Sequence, residues 1–193
     1  MFLEYPFSKI TVKEALTQPQ INFIKYFSGH AVVFDVHLLL LNPTKHLLNT
    51  LPRRKINLLS AEVFGRTQPL IFNRTKFLLL ENEDMLLYQC LNYFFHHCCR
   101  GINQLNDINN IIGSLPIQWS KTLARIQRWK LSLYIYYPLF LTREVYQTEI
   151  PENVLSALKP KGVLATFVKP WFINKQTANR PIGNPRIRFY FNI

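Results

Sequence analysis

Apolar residues along the chain fall in short runs broken by polar turns, and the spacing within each run sets the element it predicts. Val32 to Leu41 is rich in Val, Phe and Leu and stops at Asn42-Pro43-Thr44, where proline forbids a continuing helix and Asn and Thr offer caps. A helix is predicted to restart at Thr44 and run to Asn49. Ile56 to Phe64 and Thr75 to Leu80 read as strands. The second is joined through the polar turn Glu81-Asn82-Glu83-Asp84 to the apolar run Met85 to Tyr93, which predicts an antiparallel hairpin.

Further along, the Asn- and Asp-rich stretch from Gly101 to Gly113 reads as a helical turn or surface loop. A helix is predicted from Trp119-Ser120, carrying Leu123, Ile126, Trp129 and Leu131 along one side. Leu131 to Tyr137 is aromatic and β-prone, and Leu139 to Thr148, following Pro138, reads as another strand closed by Pro151. Helix, strands, helix, strands is the order of an α+β fold, a single domain with an antiparallel β-sheet flanked by helices.

Composition supports one core. A chain of 193 residues with 48% hydrophobic and 14% aromatic content fills a single core without material for a second full domain. Charge adds an internal division. The formal net charge is +12, yet no acid follows Glu152, and seven bases lie beyond it: Lys159, Lys161, Lys169, Lys175, Arg180, Arg186 and Arg188. Residues 1–152 are therefore read as the domain and residues 153–193 as a basic arm, also bearing Phe167, Trp171, Phe172, Phe189, Tyr190 and Phe191. Basic plus aromatic is the composition of a nucleic-acid surface, and an anionic membrane surface suits the same charge.

Three cysteines, two of them adjacent, do not make a secreted disulfide framework and fit a reducing compartment. His96-His97-Cys98-Cys99 invites a zinc reading, but adjacent residues point in different directions and no second ligand pair follows, so no metal is expected; buried cysteine and partly exposed histidine fit better. The N-terminus lacks the pattern of a secretory signal, and the uncharged stretch Leu131 to Thr142 is far short of the roughly 20 residues of a membrane helix. A soluble protein is predicted.

Four segments, in order between residues 36 and 147, resemble the chorismate–pyruvate lyase superfamily, above all its cyanobacterial and plastid-encoded branch. They are Leu38 to Leu41 followed by Asn42-Pro43-Thr44-Lys45-His46-Leu47; Asn73-Arg74-Thr75-Lys76-Phe77 with Met85 to Tyr88; Leu115-Pro116-Ile117-Gln118 leading to Leu123-Ala124-Arg125; and Pro138-Leu139 leading to Glu144-Val145-Tyr146. The resemblance implies conversion of chorismate to 4-hydroxybenzoate and pyruvate without a cofactor, as a step toward a prenylated quinone in a plastid stroma or bacterial cytoplasm. It implies Glu144 as the catalytic acid or base, Arg74 as the carboxylate ligand, and further substrate contacts at Thr44, Ile117, Gln118 and Arg125.

The chemistry suits these residue types. A guanidinium matches a carboxylate through two parallel donors, and a carboxyl enclosed among apolar groups has its pKa raised toward the working pH. On a strand, Glu144 would share a face with Phe140 and Tyr146. From the residues alone, without the resemblance, Glu144 reads as an acid on the solvent face of an edge strand and Arg74 as a surface arginine. The alternative expectation is a non-catalytic or decayed protein of the same fold that binds RNA or a membrane surface through its arm.

Overall fold

The computed structural model describes residues 20–27, 30–37, 39–41, 51–97, 99 and 101–162. The fold is α+β, as expected: helices and two antiparallel two-stranded sheets. The chain divides into two compact units, Met1–Gly65 and Arg66–Ile193.

In the first unit, β1 (Gln20–Phe27) pairs antiparallel with β2 (His30–His37), in register from Gln20 opposite His37 to Phe27 opposite His30. The strand expected over Ile56 to Phe64 is instead a helix, α1 (Arg53–Gly65). Its buried positions Ile56, Leu59, Ser60 and Val63 recur at three- and four-residue steps, the period of a helix face. Ser60 ties this helix to the segment before it, because its hydroxyl donates to the Ile56 carbonyl (2.8 Å) and accepts the Leu40 N–H (2.9 Å). Leu40, Leu41 and Leu51 complete the apolar cluster of this unit. The helix expected over Thr44 to Asn49 lies outside the described residues.

The second unit opens with a hairpin, β3 (Gln68–Phe72) and β4 (Thr75–Leu79). The strand expected at Thr75 is present, but its partner precedes it in the chain. Asn73 and Arg74 both take positive φ, 46° and 64°, the conformation of a type I′ turn whose twist matches the flanking strands. The other expected partner, Met85 to Tyr93, is helical, and the quartet Glu81 to Asp84 is no hairpin turn. It begins α2 (Asn82–Phe95), where acids in the first turn meet the positive end of the helix dipole. Leu86, Leu87, Cys90 and Leu91 are buried along one side, again at helical spacing.

Helices α3 (Ile102–Ser114), α4 (Trp119–Trp129), α5 (Ser132–Tyr146) and α6 (Glu152–Leu158) follow. The helix expected from Trp119 is borne out, with Ile126 and Trp129 buried. Lys130 closes it in the left-handed region (φ 52°), its N–H bonding to the Gln127 carbonyl, while the next N–H, of Leu131, reaches back to the Ile126 carbonyl at 2.9 Å. That pair of bonds is the Schellman stop, and the fully buried Leu131 supplies its apolar contact.

The stretch from Gly101 is a full helix burying Leu105 and Ile108. The two strands expected around Pro138 are one helix. Leu131, Ile135, Leu139 and Thr142 are buried at four-, four- and three-residue steps, and this face packs against α2, α3, α4 and α6. Pro138 withholds one helix donor, and the Thr142 hydroxyl donates to the Pro138 carbonyl (2.8 Å). The arm expected from residue 153 starts inside α6, where Val154, Leu155 and Leu158 are buried. Residues 163–193 lie outside the described residues. Among the described residues, no helix is long and apolar enough to cross a membrane.

Candidate functional site

The densest group of charged side chains in the described structure sits where α2 begins. Glu81 immediately precedes the helix, and Glu83 and Asp84 occupy its first turn. Lys121 and Arg125, one helical turn apart on α4, face them. Arg66, at the start of the second unit, approaches from a third direction.

Asp84 is the centre. Its side chain is 0% exposed and receives Arg66 through two parallel bonds, Nε to Oδ2 at 2.8 Å and Nη2 to Oδ1 at 3.0 Å. Arg125 brings Nη1 to 2.8 Å from the same Oδ1, an ionic approach off the hydrogen-bond axis, and donates Nη2 to Glu81. Lys121 Nζ lies 3.1 Å from Glu81 and 3.2 Å from Glu83. The Gln118 backbone N–H donates to Glu83 Oε1 at 3.1 Å, and the Asn82 side chain donates to the Pro116 carbonyl at 3.2 Å. The Arg66 guanidinium also rests 5.3 Å from the centre of the Trp129 ring.

Three carboxylates and three bases therefore neutralise one another at the joint between α2, the loop before α4, and α4. The Arg125 guanidinium holds the Glu81 carboxyl below the ordinary value of 4.5, against a smaller upward push from burial, with Lys121 assisting. For Glu83 burial is the largest single influence and raises the pKa, but the amides of Gln118 and Glu83 and the Lys121 ammonium together outweigh it, so the net direction is down. Lys121 is raised, chiefly by its bond to Glu81.

A carboxylate whose folded-state pKa is depressed stabilises the fold fully above its unfolded value and loses that contribution as pH falls through the folded one. The thermal midpoint is therefore expected to drop as pH is lowered below 4.5. Glu81→Gln should lose less over the same window, as followed by circular dichroism melts at successive pH values. Equal slopes for the two proteins would show that Glu81 is not held in this way.

The residues singled out from the sequence separate in the structure. Arg125 and, through its backbone, Gln118 belong to the cluster, and Ile117 lies half-buried in the adjoining loop. Arg74 is exposed at the tip of the β3–β4 hairpin. Glu144 stands near the end of α5 with its side chain 53% exposed, 3.9 Å from Arg143, which also pairs with Glu152 at 2.5 Å. Its neighbours Phe140 and Tyr146 are not on a shared strand face, since the backbone there is helical. Neither Arg74 nor Glu144 is enclosed among apolar groups, the condition that would tune a carboxyl for lyase chemistry. Thr44 lies outside the described residues. Cys90 and Cys99 are buried and His96 and His97 half-buried, as their sequence suggested.

Missing from the sequence reading were Glu81, Glu83, Asp84, Lys121 and Arg66. The signal for the acids was present: an acidic quartet directly before apolar residues spaced at helical intervals is a helix start.

The cluster shows no carboxylate set apart for proton transfer or metal binding. Among the described residues, no three or more His, Cys, Asp and Glu side chains converge so as to hold a metal ion.

Comparison with known proteins redirects the functional reading. The model of a family described as an uncharacterised nucleotidyltransferase matches residues 13–147, a stretch that contains all four segments resembling a lyase. No curated protein and no solved structure matches the chain. The expectation of a carbon–oxygen lyase acting on chorismate is thereby overturned, together with its substrate, its products and its place in quinone synthesis. The alternative of a non-catalytic protein binding RNA or a membrane through its arm gains no support from the match either. The match spans well over half of the 193 residues, and the chain belongs to this family of uncharacterised nucleotidyltransferases.

Proposed function

We propose that the protein transfers a nucleotidyl group: an acceptor nucleophile attacks the α-phosphorus of a nucleoside triphosphate, the bond to the bridging oxygen breaks, and pyrophosphate leaves as the acceptor gives up its proton. The observation that carries this reading is the family match over residues 13–147. The formal charge of +12 supports it, since a strongly basic protein attracts a polyanionic donor and leaving group.

Phosphoryl and nucleotidyl transfer draw on divalent cations, which neutralise phosphate oxygens and are held by carboxylates. The trio Glu81, Glu83 and Asp84 does not fit that task. Each carboxylate is already engaged by a base or a backbone amide, and Asp84 by two guanidiniums. The cluster's contribution is positional: it fixes the start of α2 against α4 within the matched region.

A ligand that binds only the folded state at 100 times its dissociation constant adds about 2.7 kcal/mol. For a chain of this size that is a rise of roughly 5–10 °C in the thermal midpoint. At least one of the four common nucleoside triphosphates at millimolar concentration is expected to give such a rise, while chorismate and 4-hydroxybenzoate leave the midpoint in place. A protein indifferent to all four triphosphates would count against the reading.

A further inference from the structure

The chain passes from one compact unit to the other in a short step. Helix α1 runs to Gly65, the last residue of the first unit, Arg66 is the first residue of the second, and β3 begins at Gln68. Only Arg66 and Thr67 therefore stand between the helix and the strand, and two extended residues span about 7 Å at most. The family match runs across this joint, from residue 13 to residue 147.

Arg66 is held. Its guanidinium meets both Asp84 oxygens and lies over the Trp129 ring. Both seats belong to the second unit: Asp84 is wholly buried in the first turn of α2, and Trp129, 7% exposed, is the last residue of α4. A planar fork on a carboxylate fixes direction as well as distance, so the stem keeps the backbone of residue 66 within one side-chain length of the α2 start. On the other side of the peptide bond stands a glycine. A Cβ placed on Gly65 would meet nothing within 4 Å, and a residue without a Cβ turns about its backbone more freely than any other. Adjacent residues thus supply a fixed post and a soft point.

We infer that the Arg66–Asp84 fork is the latch of the joint between the two units. Latched, the joint has no free linker. The end of α1 stays one peptide, about 3.8 Å between Cα atoms, from a residue tied to α2 and α4, so the units turn about Gly65 but do not draw apart there. Unlatched, residues 66 and 67 are added to Gly65 as linker, and the end of α1 gains a reach of about 7 Å. Asp84 therefore carries two ties: Arg125 binds α4 to it from within the second unit, and Arg66 binds the crossing chain.

Limited trypsin digestion of the full chain reads the latch, because trypsin has to take the Arg66 side chain into its own pocket to cut after it. The rate of such a cut follows the population of the open form when opening is fast. Cutting after Lys161, exposed just beyond α6, sets the reference rate. In the wild type the cut after Arg66 is expected to be much the slower of the two. Asp84→Asn leaves Arg66 in place and removes the charge that holds it. The ratio of the two cuts should then rise on the order of 10- to 100-fold with an unchanged far-ultraviolet spectrum, the population change produced by losing one hydrogen bond to a charged group. Backbone amide relaxation measured by NMR should show β1, β2 and α1 reorienting faster relative to α2–α5 in the variant than in the wild type. Equal wild-type rates at Arg66 and Lys161 would overturn the inference, as would a ratio unmoved by Asp84→Asn. Faster cutting with the relative reorientation of the units unchanged would also overturn it, since the fork would then hold only its own residue. If Asp84→Asn fails to fold, Arg66→Lys, which keeps a trypsin site and loses the fork, decides by the same two readings.

Discussion

Arg125→Ala is expected to lower the stability of the fold by about 1.5–3 kcal/mol, the worth of a hydrogen bond to a charged group and less than the roughly 3–5 kcal/mol of breaking a lone buried ion pair, because Asp84 and Glu81 each keep another base. Asp84 is wholly buried and Arg125 only 12% exposed, so little water is at hand to replace the lost guanidinium. Arg66 would still hold both Asp84 oxygens, but Glu81 would keep only Lys121. The loss should be visible as a lower midpoint in urea with an unchanged slope. Arg125→Lys should recover only part of it, because an ammonium cannot reach Glu81 and Asp84 together as a planar fork does. A change under about 1 kcal/mol would place the cluster with exposed ion pairs, and its role as the brace between α2 and α4 would fall.

Leu139→Ala should cost about 2–5 kcal/mol, the range for truncating a fully buried leucine where the surroundings relax incompletely. Leu139 is 0% exposed on the face of α5 that meets the neighbouring helices, so the void cannot be filled from solvent. Val145→Ala on the same helix, 45% exposed, serves as the comparison and should stay within about 0.5 kcal/mol. Similar losses for both variants would contradict the packing of α5 described above.

Helix α4 was legible in the sequence because its apolar residues stand apart among polar ones, so only one period fits. Helix α5 was not. Leu131, Leu133, Ile135, Tyr137, Leu139 and Leu141 alternate with other residues, and this period of two is that of a strand. The buried set Leu131, Ile135, Leu139 and Thr142 lies within the same run, and aromatic side chains at the intervening positions hide it. Pro138 reinforced the misreading, since proline more often ends an element than sits inside a helix. The β3–β4 turn was missed because arginine occupies a left-handed position where glycine would have marked it.

The charged cluster was half legible. Lys121 and Arg125 stand four apart on a helix the sequence does show, but their partners were assigned to a hairpin turn and Arg66 lies 18 residues before Asp84. Which long-range pairs form is set by how the helices pack. The functional misreading has a related cause. Runs such as Leu115-Pro116-Ile117 and Pro138-Leu139 record helix starts and core packing, which unrelated folds share, whereas chemistry resides in the environment of particular side chains. Glu144 and Arg74 match a lyase by position in a string, yet both stand in water.

The most direct test offers the full chain each of the four nucleoside triphosphates, labelled at the α-phosphate and supplied as the magnesium salt, with mixed protein, RNA and small-alcohol acceptors. Label in a product and pyrophosphate released in equal amount are both measured, and chorismate is assayed in parallel for 4-hydroxybenzoate. Transfer of label from at least one triphosphate, matched by pyrophosphate and with no 4-hydroxybenzoate above background, is the result expected of a nucleotidyltransferase. Absence of transfer and of pyrophosphate with all four, alongside formation of 4-hydroxybenzoate, would contradict it.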